Sequence, residues 1–386
     1  MEPVFSRRDI VHTRAMLDRI ATFCLAVACV SCGARSELIG PASGRSSPSS
    51  CPEGNATLVP QSQAVVIRAN PQHVVYATAS PGARLMRIAP DGSGSRELHT
   101  FGASSNQGAW ALRGDSIVLN DDGRRLVHID ARTGRSRVIF ASEARIDGWY
   151  FAMDDAFAYW GERDNRSGVE HVRRASLAGG APQLLTELRF EWQYADVSAN
   201  RNVEIVVVDR VVYWLHQPTI PRGGGSNGDG VVYRMPVDGG TPTAWISGLV
   251  EPRELARSAD AVWVLEEGSS VGWGADDRVL GRGFDGAARA PIDFGLGPRD
   301  YSPAQVVVGN DAVFFVLGGS SDVFPLVRTG WWRRALVGGV AELVADARVG
   351  PAAILATRYE PACETLYVCT STATVESDLV RYAVGR

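Results

Sequence analysis

The feature that most constrains this chain is a unit repeated seven times between residues 55 and 386. Each unit opens with a short apolar strand and a tight polar turn. A second strand, usually with an aromatic residue, follows, then a variable loop. A third strand carries Arg or His into a Gly turn, and a short fourth strand closes the unit. The second-strand signature begins at His73, Asp115, Asp155, Asp209, Asp260, Asp311 and Glu364, giving spacings of 42, 40, 54, 51, 51 and 53 residues. The third strand recurs as RLMRIAPDG (84–92), RLVHIDARTG (125–134), VEHVRRASLAGG (169–180) and VVYRMPVDGG (231–240). It continues as RVLGRGFDG (278–286), WWRRALVGG (331–339) and DLVRYAVG (378–385).

Alternating or continuous apolar runs, rich in β-branched and aromatic residues and broken by Gly turns, are strand chemistry. No segment after residue 55 sustains a 3.6-residue period with caps. Units of four short strands at this spacing fit propeller blades, whereas β-helix repeats are much shorter and two sandwiches would not yield seven similar units. The sequence therefore predicts an all-β fold, a seven-bladed β-propeller of four-stranded antiparallel blades. In the seventh unit no fourth strand follows the third. Residues 55–60 (NATLVP) resemble an outer strand such as residues 341–344 (AELV), so an N-terminal strand is expected to close the ring and remove its open edge.

Two second strands carry part of a known signature, Ala158-Tyr159-Trp160-Gly161 and Val212-Tyr213-Trp214-Leu215, without its Thr-Asp half. On these residues the units over 55–386 resemble YWTD-like and NHL-like propeller repeats, and the whole chain resembles propeller lipoproteins of GC-rich bacteria. The resemblance implies the fold and little else.

Ahead of the repeats, Ile20 to Ser31 is an uncharged apolar run of twelve, preceded by Arg14 and Arg19. That length suits a signal-peptide core better than a membrane span. Cys32 follows Val30-Ser31 and precedes Gly33, which resembles a bacterial lipobox with Cys29 in place of the usual Leu. Residues 1–32 read as a lipoprotein signal peptide with Cys32 as the acylated residue. Cys29 is a second candidate, and ordinary cleavage without a lipid is the alternative. The Ser6-Arg7-Arg8 stretch is interrupted by Asp9 and Asp18 before the apolar run, and Met16 would make a tidier start. Residues 33–54, rich in Ser, Gly and Pro, read as a flexible tether to a propeller over 55–386. The chain is expected to be exported and lipid-anchored at the bacterial cell envelope, in the periplasm or on the cell surface.

Three cysteines remain after Cys32. Cys363 should lie in the first turn of blade 7, and Cys369 six residues along the following strand, about 20 Å away and beyond disulfide reach. Cys51 precedes the closing strand on the same face as that turn. A Cys51–Cys363 disulfide is therefore expected, with Cys369 buried and reduced. Closing a loop of roughly 300 residues is worth about 5–6 kcal/mol on chain entropy alone.

Composition excludes several chemistries. All 39 basic residues are Arg, as a GC-rich genome produces, so no Schiff-base, P-loop or Ser-Lys chemistry is available. A net charge of −4 gives no footprint for nucleic acid. The six His are scattered, with no two at ligand spacing, so no metal site is expected. His73, His128 and His171 sit at repeat positions and read as structural. Gly268-Ser269-Ser270-Val271-Gly272 matches a nucleophile-elbow pattern around Ser270, but no helix signal follows it. Acidic stretches at 120–123, 162–165 and 275–277 lack EF-hand spacing, and the first reads as a hairpin turn. The recurrent turn Asp reads as a cap on backbone N–H groups. No catalytic residue and no cofactor are expected, and a quinone-dependent dehydrogenase is disfavoured by the missing lysine and cofactor motif.

Long insertions between the second and third strands of blades 4–7 cover residues 216–230, 267–277, 318–330 and 370–377. Loops on a rigid scaffold are where binding concentrates. Trp273 and Phe324 stand in otherwise polar loops, with Arg222, Asp276 and Asp277 as polar contacts around them. The leading expectation is a monomeric, non-enzymatic binding or scaffold module whose partner is an envelope protein or glycan. The alternative is a propeller hydrolase or lyase acting on an extracellular polymer. Convergent carboxylates at the channel mouth would favour the enzyme.

Overall fold

Each recurring unit folds as one four-stranded antiparallel sheet. The computed structural model describes residues 55–383 apart from 61–63, 79–81, 103–108, 144–145, 147–149, 165–166, 193–203, 218, 221–227, 251, 267–277, 295–302, 310, 318–329, 337–341, 347–352, 361–364 and 372–376. Blade 1 comprises Ala64–Ala69, Val74–Thr78, Arg84–Ile88 and Arg96–Thr100, and blade 2 Trp110–Arg113, Ser116–Asp121, Arg125–Asp130 and Ser136–Ala141. Blade 3 comprises Phe151–Met153, Phe157–Asp164, Val169–Ser176 and Gln183–Arg189. Blade 4 comprises Ile205–Val208, Val211–His216, Gly230–Pro236 and Thr243–Leu249. Blade 5 is Pro252–Arg257, Ala261–Glu266, Arg278–Gly283 and Ile292–Asp293, and blade 6 Pro303–Val308, Ala312–Leu317, Gly330–Ala335 and Glu342–Asp346.

Blade 7 is built from both ends of the propeller. Ala353–Glu360, Thr365–Ser371 and Ser377–Ala383 supply three strands, and Ala56–Val59 supplies the fourth. Ala56 faces Arg381, Thr57 faces Val380 and Val59 faces Leu379. The innermost strands of successive blades lie side by side all the way round, blade 7 meeting blade 1. The expected seven-bladed propeller and its N-terminal closing strand are both present.

Face-to-face packing explains the strand chemistry. A second strand has a neighbouring blade on each side, so both of its faces are covered and it reads as a continuous buried run. All five residues of Val74–Thr78 and all six of Ala261–Glu266 are buried. Val66, Trp110, Leu112 and Leu119 fill the seam between blades 1 and 2, and Val206, Tyr213, Trp245, Leu255 and Val264 that between blades 4 and 5. Gly281 has to be glycine because the Trp263 ring lies over it. A Cβ there would meet Trp263 Cε3 at 2.3 Å.

The Arg of the third strand spans these seams. Arg87 donates to the Ala131 carbonyl of blade 2 at 3.4 Å, Arg174 to Val237 of blade 4 at 2.6 Å, and Arg381 of blade 7 to Pro90 of blade 1 at 2.8 Å. Arg282 and Arg334 reach the other way, to the carbonyls of Trp245 and Asp293. In blade 2 His128 occupies this place and meets Ser116 Oγ at 3.2 Å. Trp245 lies between Arg234 and Arg282, with guanidinium carbons 3.9 and 4.9 Å from its ring centre. Charged donors to backbone carbonyls and cation–π stacking together make these contacts strong for their size.

One face carries the tight turns. Ala131, Leu177, Val237, Phe284 and Leu336 in the second turns donate N–H bonds to Asp115, Ala156, Arg210, Asp260 and Asp311 in the first turns of the same blades. By strand alternation, the second-to-third-strand loops and the blade-to-blade connections share the opposite face. The recurrent turn Asp binds cations more than backbone: Asp155 pairs with Arg113 at 2.6 Å, Asp260 with Arg289 and Asp311 with Arg333, each at 2.8 Å. Capping falls instead to its neighbour Asp154, which accepts from the N–H groups of Ala156 and Phe157. That carboxylate also accepts a hydrogen bond from the Tyr159 hydroxyl, and burial together with this bond raises the phenol's pKa.

His73 joins blades 1 and 2 on the turn face through a 2.6 Å bond from its Nε2 to Asp115. Burial lowers its pKa, outweighing the bond to Asp115, and its Nδ1 is buried without a partner. A depressed folded-state pKa contributes stability above the unfolded value of about 6.5, and that stability is lost as pH falls.

Two outcomes are expected. Arg174→Ala should cost about 1–3 kcal/mol in urea unfolding at unchanged slope, with Arg174→Lys recovering little because an ammonium cannot both stack on Phe157 and reach Val237. Wild-type stability should fall more steeply than that of His73→Asn between about pH 7 and pH 5. Parallel pH curves would remove His73 from the seam's titration.

Candidate functional site

On the loop face, three second-to-third-strand hairpins are clamped at the mouth by a buried carboxylate and an arginine that are cross-strand partners. In blade 2 these are Asp121 and Arg125, in blade 3 Glu170 and Arg163, and in blade 5 Glu266 and Arg278. The carboxylate side chains are 5%, 0% and 2% exposed, respectively. The guanidinium contacts measure 2.6, 2.7 and 2.6 Å.

Each carboxylate also takes a donor from beyond its own hairpin. Asp121 Oδ1 accepts the N–H of Gly102, in the connection from blade 1, at 3.1 Å, and lies 3.5 Å from His99 Nε2. Glu266 Oε1 accepts the N–H of Val250, which follows the outer strand of blade 4. Glu170 Oε2 accepts His216 Nδ1, at the end of the second strand of blade 4, at 3.2 Å. Burial on its own would raise the Glu170 pKa, but the His216 bond and the Arg163 charge hold it below the ordinary carboxyl value. A carboxylate serving as general acid needs the opposite shift.

Other acids on this face are engaged similarly. Glu162 accepts Trp160 Nε1 at 2.8 Å and Arg173 Nε at 2.7 Å. In residues 120–123, Asp122 and Gly123 adopt φ of 54° and 66°, making the expected hairpin turn. Arg125 bridges Asp121 and Asp122, so a guanidinium occupies the place between these two carboxylates. Among the described residues, no group of three or more His, Cys, Asp or Glu side chains could hold a metal ion.

The residues singled out in the sequence for binding and anchoring, Arg222, Trp273, Asp276, Asp277, Phe324, Cys32, Cys51 and Cys363, all lie outside the described residues, as does Ser270. Two of the loops can still be placed by their ends. Segment 267–277 runs from Glu266 to Arg278, themselves a clamp pair, and both of its flanks are strands. Segment 217–229 starts directly after His216. Cys369 lies in the strand Thr365–Ser371, opposite Ala356 and Leu379. The clamps were missed in the sequence, although an acid ending one strand and Arg opening the next is visible at Asp121/Arg125 and Glu266/Arg278.

No family model and no curated protein matches the chain. Solved structures do. An oligogalacturonate lyase in complex with manganese superposes with a TM-score of 0.59 at 11% identity, covering 92% of this chain and 99% of that one. The oligogalacturonate lyase of Vibrio parahaemolyticus gives 0.59 at 8% identity, covering 85% and 92%. The β-propeller domain of the Trilobed protease from Pyrococcus furiosus gives 0.54 at 10%, covering 82% and 93%. At such identities the likeness is one of fold: the chain is a seven-bladed β-propeller similar in architecture to lyase and peptidase propellers.

Proposed function

We propose that the chain is an exported propeller, anchored through a lipid on Cys32, that binds an envelope protein or glycan on its long-loop face and performs no chemistry of its own. The observation that carries this reading is the state of the buried acids on that face. Asp121, Glu170 and Glu266 are each paired with an arginine and tied to a neighbouring blade or connection, which suits a rigid display scaffold, and Glu170 is held below the ordinary carboxyl value, the wrong direction for a general acid. The closing strand adds a second support. Its first residue, Ala56, faces Arg381, whose guanidinium bonds to Pro90 in a turn of blade 1. The chain thus enters the propeller from the turn face, and a tether over 33–54 would leave the loop face unobstructed.

Trp273 and Phe324 are the proposed apolar anchors, with Arg222, Asp276 and Asp277 around them, and Cys51–Cys363 the proposed covalent seal on ring closure. The enzyme reading, a hydrolase or lyase acting on an extracellular polymer, draws on the likeness to two oligogalacturonate lyases. That likeness is one of fold, and fold does not fix chemistry.

Two measurements test the reading. Cys32→Ser should move the protein from the membrane to the soluble fraction and abolish an acyl-modified peptide beginning at residue 32. Crosslinked affinity purification from native membranes should recover specific envelope components, and a Trp273→Ala, Phe324→Ala double variant should lose them. An unchanged set of captured components would remove the loop face from the account.

A further inference from the structure

We infer that Glu170 is a positioning residue: it ties both strands of a small ribbon on the loop face to blade 3, so that the ribbon meets a partner already ordered. That the ribbon meets a partner rests on the binding reading above, whereas the tie rests on geometry alone. The ribbon is a parallel pair two residues long, Glu191 opposite Thr219 and Trp192 opposite Ile220. Among the described residues it is the one sheet outside the seven blades. Its first strand belongs to the connection from blade 3 to blade 4, and its second to the blade 4 loop. A parallel pair this short is marginal on its own in water, so its order has to come from where its strands begin.

Both strands begin at the same carboxylate. Phe190, directly before the first strand, donates its N–H to the Gly168 carbonyl of the blade 3 hairpin at 2.9 Å. Gly168 has to be glycine there, with φ of 67° and the Phe190 carbonyl oxygen 2.8 Å from where a Cβ would sit. The Phe190 ring lies beneath Arg163, with the guanidinium carbon 4.8 Å from the ring centre. Arg163 in turn donates to Glu170 Oε2 at 2.7 Å. His216, three residues before the second strand, donates to that same oxygen from Nδ1 at 3.2 Å, and its ring lies 5.7 Å from that of Tyr233. Glu170 therefore reaches one strand through Arg163 and Phe190 and the other through His216. Glu170 Oε1 and Arg163 Nε and Nη1 are buried and meet no protein partner. So incompletely satisfied an ion pair adds little to stability, and fixing register is the better-attested use of buried charge.

The test is hydrogen–deuterium exchange on the full-length protein, resolved to single amides. Glu170→Gln keeps the side-chain shape and removes the charge. It should speed exchange about tenfold at Phe190, Glu191, Trp192, Thr219 and Ile220, the usual scale for losing a charge-assisted bond that restrains local opening. The turn-face amides of the same blades, Leu177 bonded to Ala156 and Val237 bonded to Arg210, should be unchanged. His216→Phe keeps a ring against Tyr233 and cuts one arm only, so the ribbon should exchange faster while Phe190 does not. Should Glu170→Gln fail to fold, Arg163→Met combined with Glu170→Met replaces the whole pair by apolar side chains, a change buried ion pairs commonly tolerate. That double variant should give the same rise at the ribbon. Unchanged ribbon exchange in these variants, or an equal rise at Leu177 and Val237, would overturn the inference. Faster ribbon exchange with undiminished capture of envelope components would leave the tie standing and overturn the ribbon's part in binding.

Discussion

The third-strand arginine is the contact on which the rest of this ring depends. Seven apolar seams can hold seven sheets together, but apolar packing is non-directional and does not fix how one sheet is rotated against the next. A guanidinium reaching a carbonyl on the neighbouring blade does fix it. Arg87, Arg174 and Arg381 bond forward to the next blade, while Arg282 and Arg334 bond back. Because Arg381 reaches blade 1 beside the closing strand, the same device that spaces the blades also joins the ends of the ring. Each blade then presents its loops at a fixed angle on one face.

That division between a turn face and a loop face organises the charges. On the turn face the recurrent Asp pairs with Arg or His, as in Asp155–Arg113 and Asp115–His73. On the loop face Asp121, Glu170 and Glu266 are more deeply buried, and each is held at a hairpin mouth. An isolated carboxylate at such depth would be very costly, and its partners are what make the position tenable. The arrangement favours stiffness at the base of the loops. A stiff base lowers the ordering cost of binding a partner.

Much of the architecture was legible in the sequence because it is encoded locally. Strand periodicity, the turn Asp, the third-strand Arg and the outer-strand look of residues 55–60 each occupy a few neighbouring positions. The partners of those residues were not legible. Arg381 bonds to a carbonyl 291 residues away, and a carbonyl leaves no trace in a sequence. The clamp at Glu266 was half visible, since Arg278 is a side chain, but its third member is the backbone N–H of Val250. The turn Asp was read as a backbone cap because that is its local option, and the competing cation comes from elsewhere in the fold, as with Arg113 for Asp155. The aromatic and acidic loop residues were picked out by being unlike their surroundings, and they lie outside the described residues.

The central claim is that the loop face receives a partner while the turn face does not. Site-specific photocrosslinking in native cells tests it most directly. One probe would replace Ser247, exposed beside the loop mouths of blades 4 and 5, and the other Ala287, exposed on a turn of blade 5. The account predicts a defined crosslinked product from position 247 and none from position 287. Crosslinks from position 287 alone would contradict it.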